Sequence, residues 1–145
     1  MTDQSGQSIV VEASPQKQEL RNGNPLICTN HFQATSMKEK NKKNIQGSIK
    51  RKHFINNLFE KNLTTMDAYR HFNNGNSPLF FKYYQEYFGT LHTVVYSPKL
   101  LEVIVGIGQD AEPITISFKD YLDEALTLPE RLKGWIDLNN KDGIE

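Results

Sequence analysis

A short apolar run in this chain ends in side chains that could do chemistry. Pro25-Leu26-Ile27-Cys28-Thr29-Asn30-His31-Phe32-Gln33 carries the single cysteine and then delivers Thr-Asn-His together. A buried strand fixes the backbone while its end opens to solvent, so polar residues at such a tip are well placed for a site. The carboxamide of Asn30 can donate to a developing negative oxygen. His31 is a candidate base or pocket residue. Arg51 stands four residues before Ile55 and seven before Leu58, on the apolar stripe of a helix rather than its wet face. An arginine aimed inward needs a carboxylate, a group of carbonyls or a ligand.

Each of these has an ordinary reading beside it. Asparagine at a strand end also satisfies turn backbone groups, and arginine also serves in structural ion pairs. His31 and His92 fit capped strand histidines. The histidines at 31, 53, 71 and 92 have no short metal-ligand spacing, so no metal site is expected. Tyr83, Tyr84 and Tyr87 recur at helical spacing and read as core, with Tyr83 and Tyr87 the candidates for lining a pocket. Gly106-x-Gly108 lacks the third glycine and the helix that a dinucleotide site requires, and nothing else calls for a cofactor.

The elements that must position these groups follow from pattern. Ser8–Ala13 is rich in β-branched residues and reads as a strand. The turn before it, Asp3-Gln4-Ser5-Gly6, has only Met1 and Thr2 on its far side, which predicts an unpaired edge. Lys17–Arg21 and Pro25–Phe32 would complete a three-stranded antiparallel meander over residues 1–33, with Cys28 buried by alternation. Residues 34–47 form a lysine-rich loop. Helices follow within 48–88: one from Ser48, its N-cap, to about Asn62, a second opened by Thr64 or Thr65 with Asp67, and a short third across Phe80–Phe88. Strands are expected at Thr90–Tyr96, Leu100–Ile107 and Pro113–Phe118 within 89–118. A tail over 119–145 reads as helical at Lys119–Leu126 and Pro129–Leu138, then frays. Grouped strands and helices make the class α+β, in one domain.

Composition narrows function. Seventeen basic and 17 acidic residues give zero formal charge, so no global field draws the chain to nucleic acid or an anionic membrane. One cysteine cannot form an internal disulfide, and no apolar run approaches the ~20 residues of a membrane span. The expectation is a cytoplasmic chain with no nucleic-acid or membrane partner.

Four blocks in order carry a family resemblance: Ser-Ile-Val-Val-Glu-Ala-Ser-Pro (8–15), Cys-Thr-Asn-His-Phe (28–32), Ser-x-x-Arg (48–51) and Gly-Thr-Leu-His-Thr-Val-Val-Tyr-Ser-Pro (89–98). Together they resemble the C-terminal half of an N-terminal-nucleophile (Ntn) hydrolase, of the acyl-CoA:6-aminopenicillanate acyltransferase and choloylglycine hydrolase type. The resemblance implies an αββα fold with antiparallel sheets, present here in part, and cleavage or transfer of amide-linked acyl groups of small molecules. It implies that an N-terminal cysteine is the nucleophile and its α-amine, with a pKa near ~8, the base. It assigns Asn30 to the oxyanion and Arg51 to the vicinity of the site.

No cysteine follows Met1. Removing Met1 would expose Thr2 instead, and only cleavage after Ile27 would make Cys28 terminal. The expectation is therefore a chain that carries the oxyanion side of the site without its nucleophile and is inert alone: a truncated product, one piece of a split gene, or a remnant. A separately encoded N-terminal half would be its partner. The rival expectation is a non-enzymatic module that kept the sheet and pocket as a small-molecule or partner surface.

Overall fold

A computed structural model describes residues 1–125 and 127–138. The chain divides into two compact units, Met1–Asn62 and Leu63–Glu145.

In the first unit, β1 (Ile9–Ala13) and β2 (Gln18–Asn22) form an antiparallel hairpin with Val11 opposite Leu20 and Glu12 opposite Glu19. Ser14 closes it, exchanging hydrogen bonds with Lys17 through both backbone and hydroxyl. The preceding turn has a partner after all. Thr2 bridges Ser8, and the Ile9 N–H donates to the Met1 carbonyl at 2.9 Å, so two residues suffice to close it.

The alternation expected of a half-buried hairpin is inverted. Val11 and Leu20 are exposed, while Glu12 is buried at 6% exposure. Its carboxylate lies 2.6 Å from Arg21 Nε and accepts from the backbone N–H groups of Gln33 (2.8 Å) and Ala34 (2.9 Å). A buried carboxylate needs such partners, and here they tie the hairpin to the segment that follows it.

That segment corrects the meander: the run 25–32 is not a third strand, and the sheet has two. Its backbone groups go to side chains instead of a ladder. The Ile27 carbonyl accepts from Arg21 Nη2 and Gln33 Nε2, both at 2.9 Å. The Asn41 carboxamide accepts from Phe32 N–H (2.6 Å) and donates to Phe32 O (3.0 Å). One amide side chain thus meets both backbone groups of a residue, as a neighbouring strand would. Without strand alternation Cys28 is exposed rather than buried, and Ile27 takes the interior position.

The lysine-rich stretch is less solvated than its composition predicts. A 3₁₀ turn over Thr35–Lys40 buries Met37 completely. Helix α1 (Gln46–Phe59) starts two residues before Ser48 and is preceded by Ile45 with no side-chain cap. Ser48 is therefore inside the first turn, not its cap.

In the second unit, α2 (Thr65–Asn73) opens with the expected capping box. Thr64 Oγ1 accepts from the Asp67 N–H at 3.1 Å, and Asp67 Oδ2 accepts from the Thr64 N–H at 3.2 Å. The Thr64 hydroxyl also donates to Asp67, and these bonds hold the carboxyl below its usual pKa range.

The aromatic stretch is a hairpin, not a helix: β3 (Lys82–Tyr83) pairs with β4 (Phe88–Gly89) around a 3₁₀ turn at Tyr84–Glu86. Phe81 and Phe88 meet edge-to-face at 5.1 Å across it. The Tyr84 ring lies over Gly89, where a Cβ would overlap it, and the Tyr84 hydroxyl donates to the Thr90 carbonyl at 2.6 Å. Cross-strand aromatic pairing outweighs the helical spacing of the tyrosines.

The main sheet orders β5 (His92–Ser97), β6 (Glu102–Ile107) and β7 (Ile114–Ser117), all antiparallel. Helix α2 packs on β5 and β6, and the short α3 (Phe118–Leu122) on β6 and β7. Central β6 buries Val103, Ile104 and Val105 in succession. Tyr69 of α2, 2% exposed, donates its hydroxyl to the Ala111 carbonyl at 2.7 Å. A Cβ on Gly106 would overlap that hydroxyl, so close packing of helix on strand requires glycine there. Asn73, as deeply buried, donates to Thr93 Oγ1 (3.1 Å) and Gly108 O (2.7 Å) and accepts from Ala111 N–H (2.6 Å). Residues 127–138 hold no helix, contrary to expectation, and Trp135 makes an isolated parallel bridge to Gly108. The expected end of the preceding helix at Leu126, and the fraying of 139–145, lie outside the described residues.

Candidate functional site

The first unit contains a cleft of about 690 Å³ between β1, residues 28–32, the 40–45 stretch and the start of α1. Asn30, His31 and Arg51, the three site residues the sequence singles out in this unit, all line it.

Helix α1 grips the Asn30–His31 dipeptide with two side chains one turn apart. Arg51 Nη2 donates to Asn30 Oδ1 at 3.0 Å, and Ser48 Oγ stands 2.8 Å from His31 Nδ1. Residues i and i+3 share a helix face, which gives the Ser-x-x-Arg spacing its physical meaning. Thr29 Oγ1 adds a contact to the same ring nitrogen at 3.1 Å.

The Arg51 contact fixes the asparagine amide. A guanidinium only donates, so the amide oxygen faces it and the NH₂ is the opposite end. Burial lowers the pKa of Arg51, which remains a cation at any ordinary pH. His31 is also pushed below its usual pKa, first by burial and then by the charge on Lys52, with Glu12 opposing. At neutral pH its ring is uncharged and able to accept a proton.

Glu12, Ser48 and Asn41 also line the cleft, and sequence reasoning assigned none of them to the site. β-Branched content marks residues 8–13 as a strand but does not say which way Glu12 faces. Serine at the start of a helix signals a cap, while its three-residue spacing from Arg51 places the two on one face. Cys28 reaches the cleft as well.

Tyr83 and Tyr87 belong to the aromatic hairpin of the second unit. The Tyr83 ring is 6.4 Å from that of Phe81, and Tyr87, at φ +58°, is fully exposed at the turn. Among the described residues no group of three or more His, Cys, Asp or Glu could hold a metal ion, and no helix is long and apolar enough to cross a membrane.

Small antiparallel sheets, with a helix packed on the larger, make this an α+β chain carrying part of an Ntn fold. The family model of acyl-coenzyme A:6-aminopenicillanic acid acyl-transferase matches residues 1–112, and the chain belongs to that family. The match takes in every residue of the cleft and ends before β7. No curated protein and no solved structure matches the chain.

Proposed function

We propose that the cleft of the first unit is the oxyanion-holding side of a site that cleaves or transfers amide-linked acyl groups of small molecules, and that the attacking thiolate comes from polypeptide outside these 145 residues. Asn30 donates through its NH₂ to the oxygen that becomes negative as the thiolate adds to the carbonyl. Arg51 holds the other end of the amide, so the donor needs no reorganisation when charge appears. The observation that carries this reading is the 3.0 Å bond from Arg51 to Asn30 Oδ1 at the edge of the cleft.

Cys28 does not fill the nucleophile's role. It is internal, and its thiol has no α-amine of its own to act as base. The chain alone is therefore inert toward amides and penicillin-type substrates. Turnover by the chain alone that survives both Cys28→Ala and Thr2→Val would refute the assignment of the nucleophile. Co-expressed with a cysteine-bearing N-terminal segment of a family member, the chain should support turnover, and Asn30→Ala should lower it by about 10²–10³-fold.

A second reading, a binding module without catalysis, draws on the cleft's volume, which suffices for a small molecule. Binding of an acylated ligand that is indifferent to Asn30→Ala would select it.

A further inference from the structure

We infer that Ser48 and His31 form a second nucleophilic centre within the same cleft, able to take an acyl or phosphonyl group from an activated ester without any external thiol. It stands apart from the reading above, because both groups belong to this chain.

Three observations carry the inference. Ser48 Oγ is 2.8 Å from His31 Nδ1, the contact a serine nucleophile and its base require. The serine is 5% exposed yet lines the cleft. Its hydroxyl has no capping duty, since α1 is preceded by Ile45 and has no side-chain cap bond. A serine inside a helix ordinarily points to solvent or bonds the carbonyl four residues back; this one meets an imidazole. Its place in the first turn of a 14-residue helix, with Arg51 one turn further on, favours negative charge on the oxygen. Thr29 Oγ1, at 3.1 Å from the same nitrogen, holds the ring in place, and Asn30 adjoins it in sequence with an amide donor in the same cleft.

The step balances within the chain and one reagent. As Ser48 Oγ bonds to the carbonyl carbon of an aryl ester, its proton passes to His31 Nδ1. Collapse of the tetrahedral species breaks the bond to the aryl oxide, which leaves with the proton from Nδ1. The acyl group remains as an ester on Ser48. With a fluorophosphonate the Oγ–P bond forms, the P–F bond breaks, and fluoride departs with the same proton.

The test is to incubate the whole chain with a fluorophosphonate and map the adduct by peptide mass spectrometry. One adduct is expected, on the peptide containing Ser48. It should vanish in Ser48→Ala and form about 10²-fold more slowly in His31→Asn, the size of effect a positioned base provides. No adduct on the native chain, or an adduct that persists in Ser48→Ala, would overturn the inference. If Ser48→Ala does not fold, Ser48→Cys in a Cys28→Ser background replaces it. The introduced thiol should then be alkylated by iodoacetamide at least tenfold faster than Cys28 in the native chain, and a slower rate would count against the centre.

Discussion

The two units are held together by different physics. The second buries apolar side chains between a helix and a three-stranded sheet, with Tyr69, Val103, Ile104 and Val105 at its centre. The first has a hairpin whose inward face is charged, and it fixes the segment 27–34 through side chains: Glu12, Arg21, Gln33 and Asn41 each bond to backbone there. Apolar burial is non-directional and tolerates modest change. A network of directed bonds specifies one geometry, and each member lost leaves its own partners unpaired. The cleft lies in the unit built the second way, as precise placement of an amide and an imidazole demands.

Four substitutions or conditions would break or sharpen that contrast. The largest effect is expected for Tyr69→Ala, which empties the centre of the second unit and should cost about 4 kcal/mol in denaturant unfolding, by analogy with large aromatic truncations. Next is Glu12→Ala, which strands Arg21 and two backbone N–H groups; about 3 kcal/mol is expected, as for a broken buried pair. Its fingerprint is local, with hydrogen exchange accelerating at Gln33 and Ala34 while the amides of β6 stay protected. If exchange rises equally at β6, the contrast between the units fails. Thr64→Ala removes the cap of α2 and should cost about 1 kcal/mol in the same unfolding assay.

The smallest effect is the pH dependence of His31. Its folded pKa lies below the ordinary 6.5 because burial and Lys52 disfavour the cation. Between the folded pKa and 6.5 the unfolded chain binds more protons, so stability falls as pH drops through that window and is fully regained above 6.5. Titration of His31 by NMR should give a midpoint below 6.5, and a midpoint above it would contradict the environment described for the ring.

What the sequence reveals follows the same division. The second unit's helix and sheet are legible because their signals are local: Thr64 and Asp67 three apart for the cap, and alternation from Thr90 to Tyr96 for the strand that the structure places at His92–Ser97. The aromatic hairpin is not, since Tyr83, Tyr84 and Tyr87 satisfy helical spacing while the deciding contacts, Phe81 with Phe88 and Tyr84 over Gly89, arise only on folding. In the first unit Asn30, His31 and Arg51 could be picked out by type. The reason they meet could not, because it lies in Ser48 and Asn41, polar residues whose partners are 17 and nine positions away. The inward turn of Glu12 likewise depends on Gln33 and Ala34, 21 and 22 residues on.

The Asn41 clasp on Phe32 has a consequence for how this segment can change. A strand in a ladder is released only when all its rungs go together, whereas a stretch fastened by separate carboxamide, guanidinium and carboxylate contacts can be let out one fastening at a time. Exchanging Asn41, Gln33 or Arg21 singly would therefore re-aim the Asn30–His31 dipeptide by small increments while β1 and β2 stay paired. The cleft can be reshaped without first unmaking the hairpin that lines it.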